Sequence, residues 1–350
     1  MNILIVKVSS LGDVLHNLPI VWDIRSNYPD ARIDWVVEES YVDLIAPLLS
    51  KDGFRGVDHL IPICLRRLRQ EWREGGWRHF APIMKSLESQ KKHLQRCSYD
   101  LVIETQGLLK SAIITSLAKK APHAMVVGIG NRTEGSGYEP LAKLFYTHRV
   151  KVPSQLHAVD RSRAVAARGL GKNFPIRIEN PPTFYPQEFV HSLDGLSNPL
   201  GLTKKTYVMC FHATARIAKC WSVDAWIEVA RYLVDHNLQV VLPWGNAQEK
   251  MRSQTIAHSV PQALVPAPFS IQEAFILNAQ AKLVIGVDTG LTHLGAVLGV
   301  PCIELYVDSP RWKTEGYWNP AIVNLGDTKK PPLVSEVLRK MDELLLPSGF

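Results

Sequence analysis

A chain of 350 residues has room for two domains, and 46% hydrophobic with 21% charged residues is the balance of a globular protein, not of a disordered or fibrous one. The formal charge is +7, and five scattered cysteines with no CxxC pair argue against a zinc site or a disulfide framework and suit a reducing compartment. No apolar run approaches the ~18–20 residues that span a bilayer, and the start "MNILIVKVSSLGD" lacks the features of a signal peptide, so a cytoplasmic protein is expected.

In chain order, strands and helices alternate, the pattern of an α/β protein with parallel sheets. Residues 3–8 read as a buried strand, 12–27 as a helix and 33–37 as a second strand. Residues 64–96 then hold nine Lys/Arg against three acids, nearly the whole excess charge of the chain. Trp72, Trp77 and Phe80 lie among these cations. For any one arginine a solvated helix face is the simpler account. As a cluster, the segment suits a membrane interface or an acidic lipid headgroup, with nucleic acid as the competing partner.

A strand at 100–104 follows, then a helix from about 108 and a strand at 125–130. "GIGNRTEG" has two glycines at the wrong spacing, and no G-x-G-x-x-G occurs, so the usual dinucleotide fingerprint is missing. After Gly171, "NFPIRIENPPTFYP" has four prolines and no periodicity and reads as a linker. A second series begins with a strand at 207–211 and a helix from near Ser222 that places Val223, Trp226, Ile227, Ala230, Leu233 and Val234 on one face. Strands at 239–242, 283–287 and 302–306 follow, and Pro331-Pro332 precedes a last amphipathic helix at about 333–346. The expected division is a first domain over 1–172, a second over 173–326, and a terminal helix within 327–350 packing back toward the first.

The two halves look alike. "ILIVKVSSLGDVLHNL" and "LVIGVDTGLTHLGAVL" are both strand, Gly/Asp loop, helix. Such loops line the ligand edge of an open α/β sheet. Asp13 is either an ordinary helix-start carboxylate or a general base, with Gly12 permitting close approach of a ligand. Asp288-Thr289-Gly290 is either an ordinary cap or a phosphate-binding helix start. His293 in the first turn of that helix, and Lys219 just before the helix at Ser222, are cations at the positive end of a helix dipole. Both placements make sense if an anion sits there. Glu249, after "LPWG", is either a first-turn glutamate or an acceptor for ribose hydroxyls.

Taken in order, "ILIVKVSSLGDVLHNLP", "DWVVEESYVDLI", "DLVIETQGLLKSA", "HATARIAKCW", "LPWG…E" and "VDTGLTHLGAVLG" resemble the bacterial heptosyltransferases of lipopolysaccharide core synthesis, over residues 1–306. The resemblance implies the GT-B fold, two Rossmann-like domains with parallel sheets facing across a deep cleft. It implies inverting transfer of L-glycero-D-manno-heptose from ADP-heptose to Kdo2-lipid A, with transfer of the second heptose as the alternative within the family. By position, Asp13 would be the catalytic base. Thr214, Lys219, Glu249, Phe269, Asp288, Thr289, Gly290, Leu291 and His293 would bind the donor. Lys219, Thr289 and Gly290 would address the diphosphate, which also answers for His293; Glu249 would take the ribose, Asp288 the heptose hydroxyls, and Phe269 the adenine. Ser10, Gly12, Arg66, Arg67, Arg69, Lys110 and Arg132 would serve the acceptor. Ala215 stands where the family often has a second hydroxyl residue. No obligatory metal is implied, since no Asp-x-Asp stands near a strand end. The expected location is the cytoplasmic face of the inner membrane, reached through the basic segment, with no nucleic-acid partner. An NAD-dependent oxidoreductase shares the α/β pattern but not the glycines, and a nucleic-acid-binding module would leave Asp13, Glu249 and Asp288 without a role.

Overall fold

The computed structural model describes residues 1–75, 80–172 and 182–345, in two compact units, Met1–Thr183 and Phe184–Phe350. Most of the expected linker, and Trp77 and Arg78 of the basic segment, lie outside the described residues.

Unit 1 contains β1 (Asn2–Val6), β2 (Arg32–Glu38), β3 (His59–Ile63), β4 (Tyr99–Glu104), β5 (Lys120–Ile129) and β6 (His148–Val150). All pair in parallel, in the order β3-β2-β1-β4-β5-β6. This is the doubly wound nucleotide-binding order, with its reversal between β1 and β4. The helices are α1 (Leu11–Leu15), α2 (Pro19–Asn27), α3 (Val42–Ile45), α4 (Leu65–Gly75), α5 (Phe80–Leu94), α6 (Leu109–Leu117) and α7 (Ala158–Gly169). Strands covered on both faces read as unbroken apolar runs, and Ile3 to Val6 are fully buried.

Two departures from the sequence reading have local causes. The expected helix over 12–27 is two helices. The first closes with Asn17 N–H on the Val14 carbonyl and Leu18 N–H on the Leu15 carbonyl, tighter i→i−3 bonds. Pro19 then opens α2, where its fixed φ and missing N–H do no harm. β5 starts earlier than expected, because Tyr99 already pairs with Lys120 across a register shift that rejoins at Leu101 and Met125.

Unit 2 contains β7 (Tyr207–Phe211), β8 (Gln239–Val241), β9 (Leu283–Val287), β10 (Cys302–Tyr306) and β11 (Ile322–Gly326), parallel in the order β11-β10-β9-β7-β8. A single parallel bridge from Val241 to Leu264 extends the β8 edge. Counting that rudiment, the winding repeats that of unit 1, with the reversal between β7 and β9. The helices are α8 (Gln187–Ser192), α9 (Val223–Asp235), α10 (Ala247–Ser259), α11 (Ile271–Gln280), α12 (Gly290–Val297) and α13 (Val334–Leu345). Ser222 caps α9 by accepting from Ala225 N–H, and the apolar face read from the sequence buries Trp226, Ala230 and Leu233. The last helix was expected to return toward the first domain. In the structure it buries Val337 and Met341 in the core of unit 2, beside the α9 residues Trp226 and Leu233. That core offered enough apolar area to take its stripe.

Close helix–sheet approach holds α12 at the sheet edge. A Cβ at Gly286 would collide with the Thr292 side chain and lie 2.8 Å from Phe211 Cβ, and one at Gly295 would lie 2.8 Å from Val284 Cγ2. Both glycines are therefore steric requirements of the β9–α12 turn.

Candidate functional site

Each candidate cluster lies at the topological reversal of its own sheet, where side-by-side strands send their helices to opposite faces and leave a crevice. In unit 1 the loop after β1 carries Ser9, Ser10, Gly12 and Asp13. Ser10 is the N-cap of α1 and Asp13 stands at N3. The Ser10 backbone N–H and hydroxyl both donate to Asp13 Oδ2, at 3.1 and 2.9 Å. Asp13 therefore fills the ordinary capping role, through one oxygen only. Its other oxygen, Oδ1, lies 3.9 Å from Lys7 Nζ, and the side chain is 42% exposed. Burial would raise the Asp13 pKa, but Lys7, Arg161 and the Ser10 hydrogen bonds outweigh it and hold the group well below the usual carboxylate range.

The supporting cations are themselves built in. Lys7 is buried next to the strand β1 and donates to the Thr105 carbonyl at 3.3 Å. Arg161, in the first turns of α7, is buried and donates to Thr133 Oγ1 at 3.2 Å and to Ser136 Oγ. It thereby ties the "NRTEGSGYEP" loop to the Asp13 neighbourhood. Lys110 joins the same cluster by donating to Ser9 Oγ at 2.9 Å.

Two of the arginines of α4 have partners within the unit. Arg67 pairs with Glu39 through two hydrogen bonds, at 3.0 and 3.2 Å. The Arg66 guanidinium lies 5.0 Å over the Tyr41 ring, and its backbone N–H donates to Glu38. Arg69 and Arg132 are exposed, on α4 and on the loop after β5.

In unit 2 a pocket of about 210 Å³ gathers Thr214, Glu249, Phe269, Thr289 and Leu291 from four separate segments. Ala215 and Trp244 also line it. Trp244 is held by its Nε1–H on the Pro266 carbonyl at 2.9 Å, and Glu249 Oε2 accepts the Gly245 N–H at 2.7 Å. Thr289 is the N-cap of α12 and makes no side-chain cap, leaving the helix start to its backbone N–H groups. The mixture of an aromatic wall, a hydroxyl pair and a helix start suits a nucleotide.

Beside the pocket runs a buried polar chain. Lys219 Nζ is 2.6 Å from Asp288 Oδ2. Asp288 Oδ1 is 3.1 Å from His293 Nε2 and accepts from Thr314 Oγ1 at 3.3 Å. His293 Nδ1 is 2.8 Å from Glu304 Oε1, while Glu304 Oε2 accepts from the Tyr306 hydroxyl and the Gly316 N–H, each at 2.9 Å. Burial would lower the His293 pKa, but Glu304 and Asp288 reverse this and push it up to about 10. Asp288 is held far below the ordinary range: burial opposes ionisation, and His293 and Lys219 overcome it.

This polar chain bears on two expectations. His293 was expected to face a ligand's diphosphate. It is 2% exposed, and both ring nitrogens are bonded to carboxylates of its own chain. The anions at this helix start are Asp288 and Glu304. Asp288, expected to receive sugar hydroxyls, already has a partner on each oxygen and holds Lys219 in place. Lys219 has three ammonium hydrogens and gives one to Asp288, so it retains donors for a phosphate.

Sequence reasoning missed Glu304, Lys7, Arg161 and Trp244. Two of these had a signal. Lys7 interrupts "ILIVKV" and Glu304 interrupts "CIELY". A charge within or directly beside a strand buried on both faces needs a counter-charge. Arg161 gave none, because a cation on an amphipathic helix usually faces solvent.

Comparison with known proteins follows the same outline. The glycosyltransferase family 9 (heptosyltransferase) profile matches residues 87–340. The chain is 34% identical over 307 residues to lipopolysaccharide heptosyltransferase 1 of Escherichia coli K12, covering 87% of this chain and 88% of that protein. Against the Pseudomonas aeruginosa PAO1 protein of the same name it is 34% identical over 310 residues, covering 87% and 78%. Among solved structures, E. coli heptosyltransferase WaaC with ADP matches with a TM-score of 0.79 and 30% identity, over 98% of this chain and all of that one.

Proposed function

The chain belongs to glycosyltransferase family 9, the heptosyltransferases, and from that premise we propose that it transfers L-glycero-D-manno-heptose from ADP-heptose to Kdo2-lipid A in the inner core of lipopolysaccharide. The observation that carries this reading is the match over most of the chain to heptosyltransferase 1 relatives, together with the match to a heptosyltransferase solved with ADP. Both units are Rossmann-like, as the GT-B class requires.

The chemistry assigns work to residues already described. An acceptor hydroxyl attacks C1 of the heptose, the C1–O bond to the diphosphate breaks, and the bonding electrons leave with ADP. Asp13, ionised and partly exposed, takes the hydroxyl proton through Oδ1 while Ser10 holds Oδ2. Lys219 and the N–H groups at the start of α12 stabilise the charge that develops on the departing diphosphate. Thr214 and Thr289 support the phosphates, Glu249 takes ribose hydroxyls, and Trp244 and Phe269 flank the base. Gly290 and Leu291 contribute backbone at the helix start. The cluster Asp288–His293–Glu304 positions Lys219. No step calls for a resident metal. Ser10, Gly12, Lys110, Arg66, Arg67, Arg69 and Arg132 serve an acceptor rich in carboxylate and phosphate.

We place the enzyme at the cytoplasmic face of the inner membrane, held peripherally. No helix among the described residues is long and apolar enough to cross a membrane. Support for contact comes from the cations of α4 and α5 and from exposed Trp72 and Phe80. The deciding experiment offers Kdo2-lipid A and heptosyl-Kdo2-lipid A separately with ADP-heptose and measures ADP release. Turnover of the first supports the reading; turnover of the second alone assigns the chain to the second heptose instead.

A further inference from the structure

In unit 1, α5 and α6 leave an open groove of about 910 Å³ between them. One stripe of α5 enters it: Phe80, Met84, Leu87 and Lys91, at intervals of four, three and four. The facing stripe of α6 is Lys110, Ile113 and Leu117. A solvent-facing helix stripe ordinarily carries polar residues. Here Met84 is 48% exposed and Ile113 43%, a contiguous apolar strip of the kind that marks a binding surface. The groove has a charged margin as well. Lys85, Lys91 and Lys110 line it against a single acid, Glu88.

Lys110 fixes what the groove adjoins. The same side chain that lines the groove donates to Ser9 Oγ, on the loop that carries Asp13. The groove is also lined by Ile63, at the C-terminal end of β3, and by Leu65, which opens α4; that is the same edge of the parallel sheet from which the Asp13 loop leaves β1. A ligand with a polar head at Asp13 and an apolar tail would therefore meet cations first and hydrocarbon next.

We propose that this groove binds an acyl chain of the glycolipid acceptor, with Lys85, Lys91 and Lys110 meeting its phosphates and carboxylates. The inference rests on the acceptor class proposed above and adds the site for its tail. A second copy of this chain is the other candidate occupant, but the lysine margin has too little acid opposite it to serve a symmetric contact.

The test uses the full chain and two acceptors, Kdo2-lipid A and its fully deacylated counterpart. Leu87→Glu and Ile113→Glu place a charge in the groove at exposed positions, so the core is not disturbed. The ratio of kcat/KM for the acylated to the deacylated acceptor should fall about tenfold or more in either variant, since a buried chain contributes methylene by methylene. Leu87→Met, which keeps the groove apolar, should restore the wild-type ratio. An unchanged ratio in both glutamate variants overturns the groove as a tail site, as does equal loss with both acceptors. A change of oligomeric state in the glutamate variants, with the ratio unchanged, gives the groove to a second copy and also overturns the proposal. If the wild type transfers heptose to neither acceptor, it is the assignment of function that fails, a result separate from any of these.

Discussion

His293 stands between two carboxylates of its own chain, with Nδ1 2.8 Å from Glu304 and Nε2 3.1 Å from Asp288. A cation at the start of α12 is thus neutralised from within, and Lys219 is the cation of the cluster that keeps some exposure, its side chain 19% exposed. The arrangement converts a buried strand carboxylate, Glu304, into a fixed position for a lysine that lies three hydrogen bonds away.

The imidazolium makes stability depend on pH in a definite direction. The His293 pKa is raised in the folded state, from an ordinary 6.5 to about 10. Its contribution is fully present below the unfolded value and is lost as pH rises through the folded one. The stability difference between wild type and His293→Gln should therefore shrink steadily over that interval. Urea titrations at several pH values check this, and a gap that widens with pH contradicts it.

Asp13→Asn keeps an acceptor for the Ser10 cap and removes the proposed base. Transfer should fall by about 10²–10⁴-fold, while ADP affinity, measured calorimetrically, stays close to wild type. Because Lys7 and Arg161 hold Asp13 ionised well into the acid range, no loss of activity from its protonation is expected near neutrality. Normal turnover by the variant removes Asp13 from the mechanism.

Lys219→Met keeps length and removes charge. A fall in kcat of about 10²–10³-fold is expected from losing one charge-stabilising donor. Glu304→Gln should lower kcat in the same direction by a smaller factor, since it loosens Lys219 only through His293 and Asp288. Single-turnover rates at saturating ADP-heptose distinguish these from a binding defect.

Gly286→Ala tests the steric reading of the β9–α12 turn. The added methyl meets the Thr292 side chain and Phe211 Cβ, so stability should drop by about 1–3 kcal/mol. The double variant Gly286→Ala with Thr292→Ser, which removes the Thr292 methyl but not its hydroxyl, should recover only part of it. Denaturant midpoints supply the measurement.

The basic segment makes a salt-dependent prediction. Neutralising Arg66, Arg67 and Arg69 should weaken use of the lipid acceptor more than donor binding, with Arg69 contributing most, because Arg67 is already paired with Glu39. The effect should diminish as salt screens exposed charge. Equal loss of donor and acceptor binding indicates a folding defect.

Much of this protein is legible from residue order. Apolar runs such as "YVMCF" and "LVIGV" identify buried parallel strands, since a strand covered on both faces has no polar side to show. Ser222 before an apolar stripe identifies α9 and its cap, and the paired strand–loop–helix motifs identify two units of one winding. The gathering of residues far apart in the chain was partly legible too: five of those the family resemblance singles out line one pocket. The break at Pro19 and the docking of α13 were not: each depends on how far a local preference is overruled by packing.

Sequence alone determined which residue types stand at the sheet edges, a property of local order along the chain. Tertiary structure decided which charges stay partly exposed at a sheet edge and which face each other. Glu304 and His293 are eleven positions apart, and Asp13 and Arg161 much further; only folding sets the distance and the dielectric between them, and those two quantities decide whether a buried charge is a contact for substrate or a partner for its neighbour.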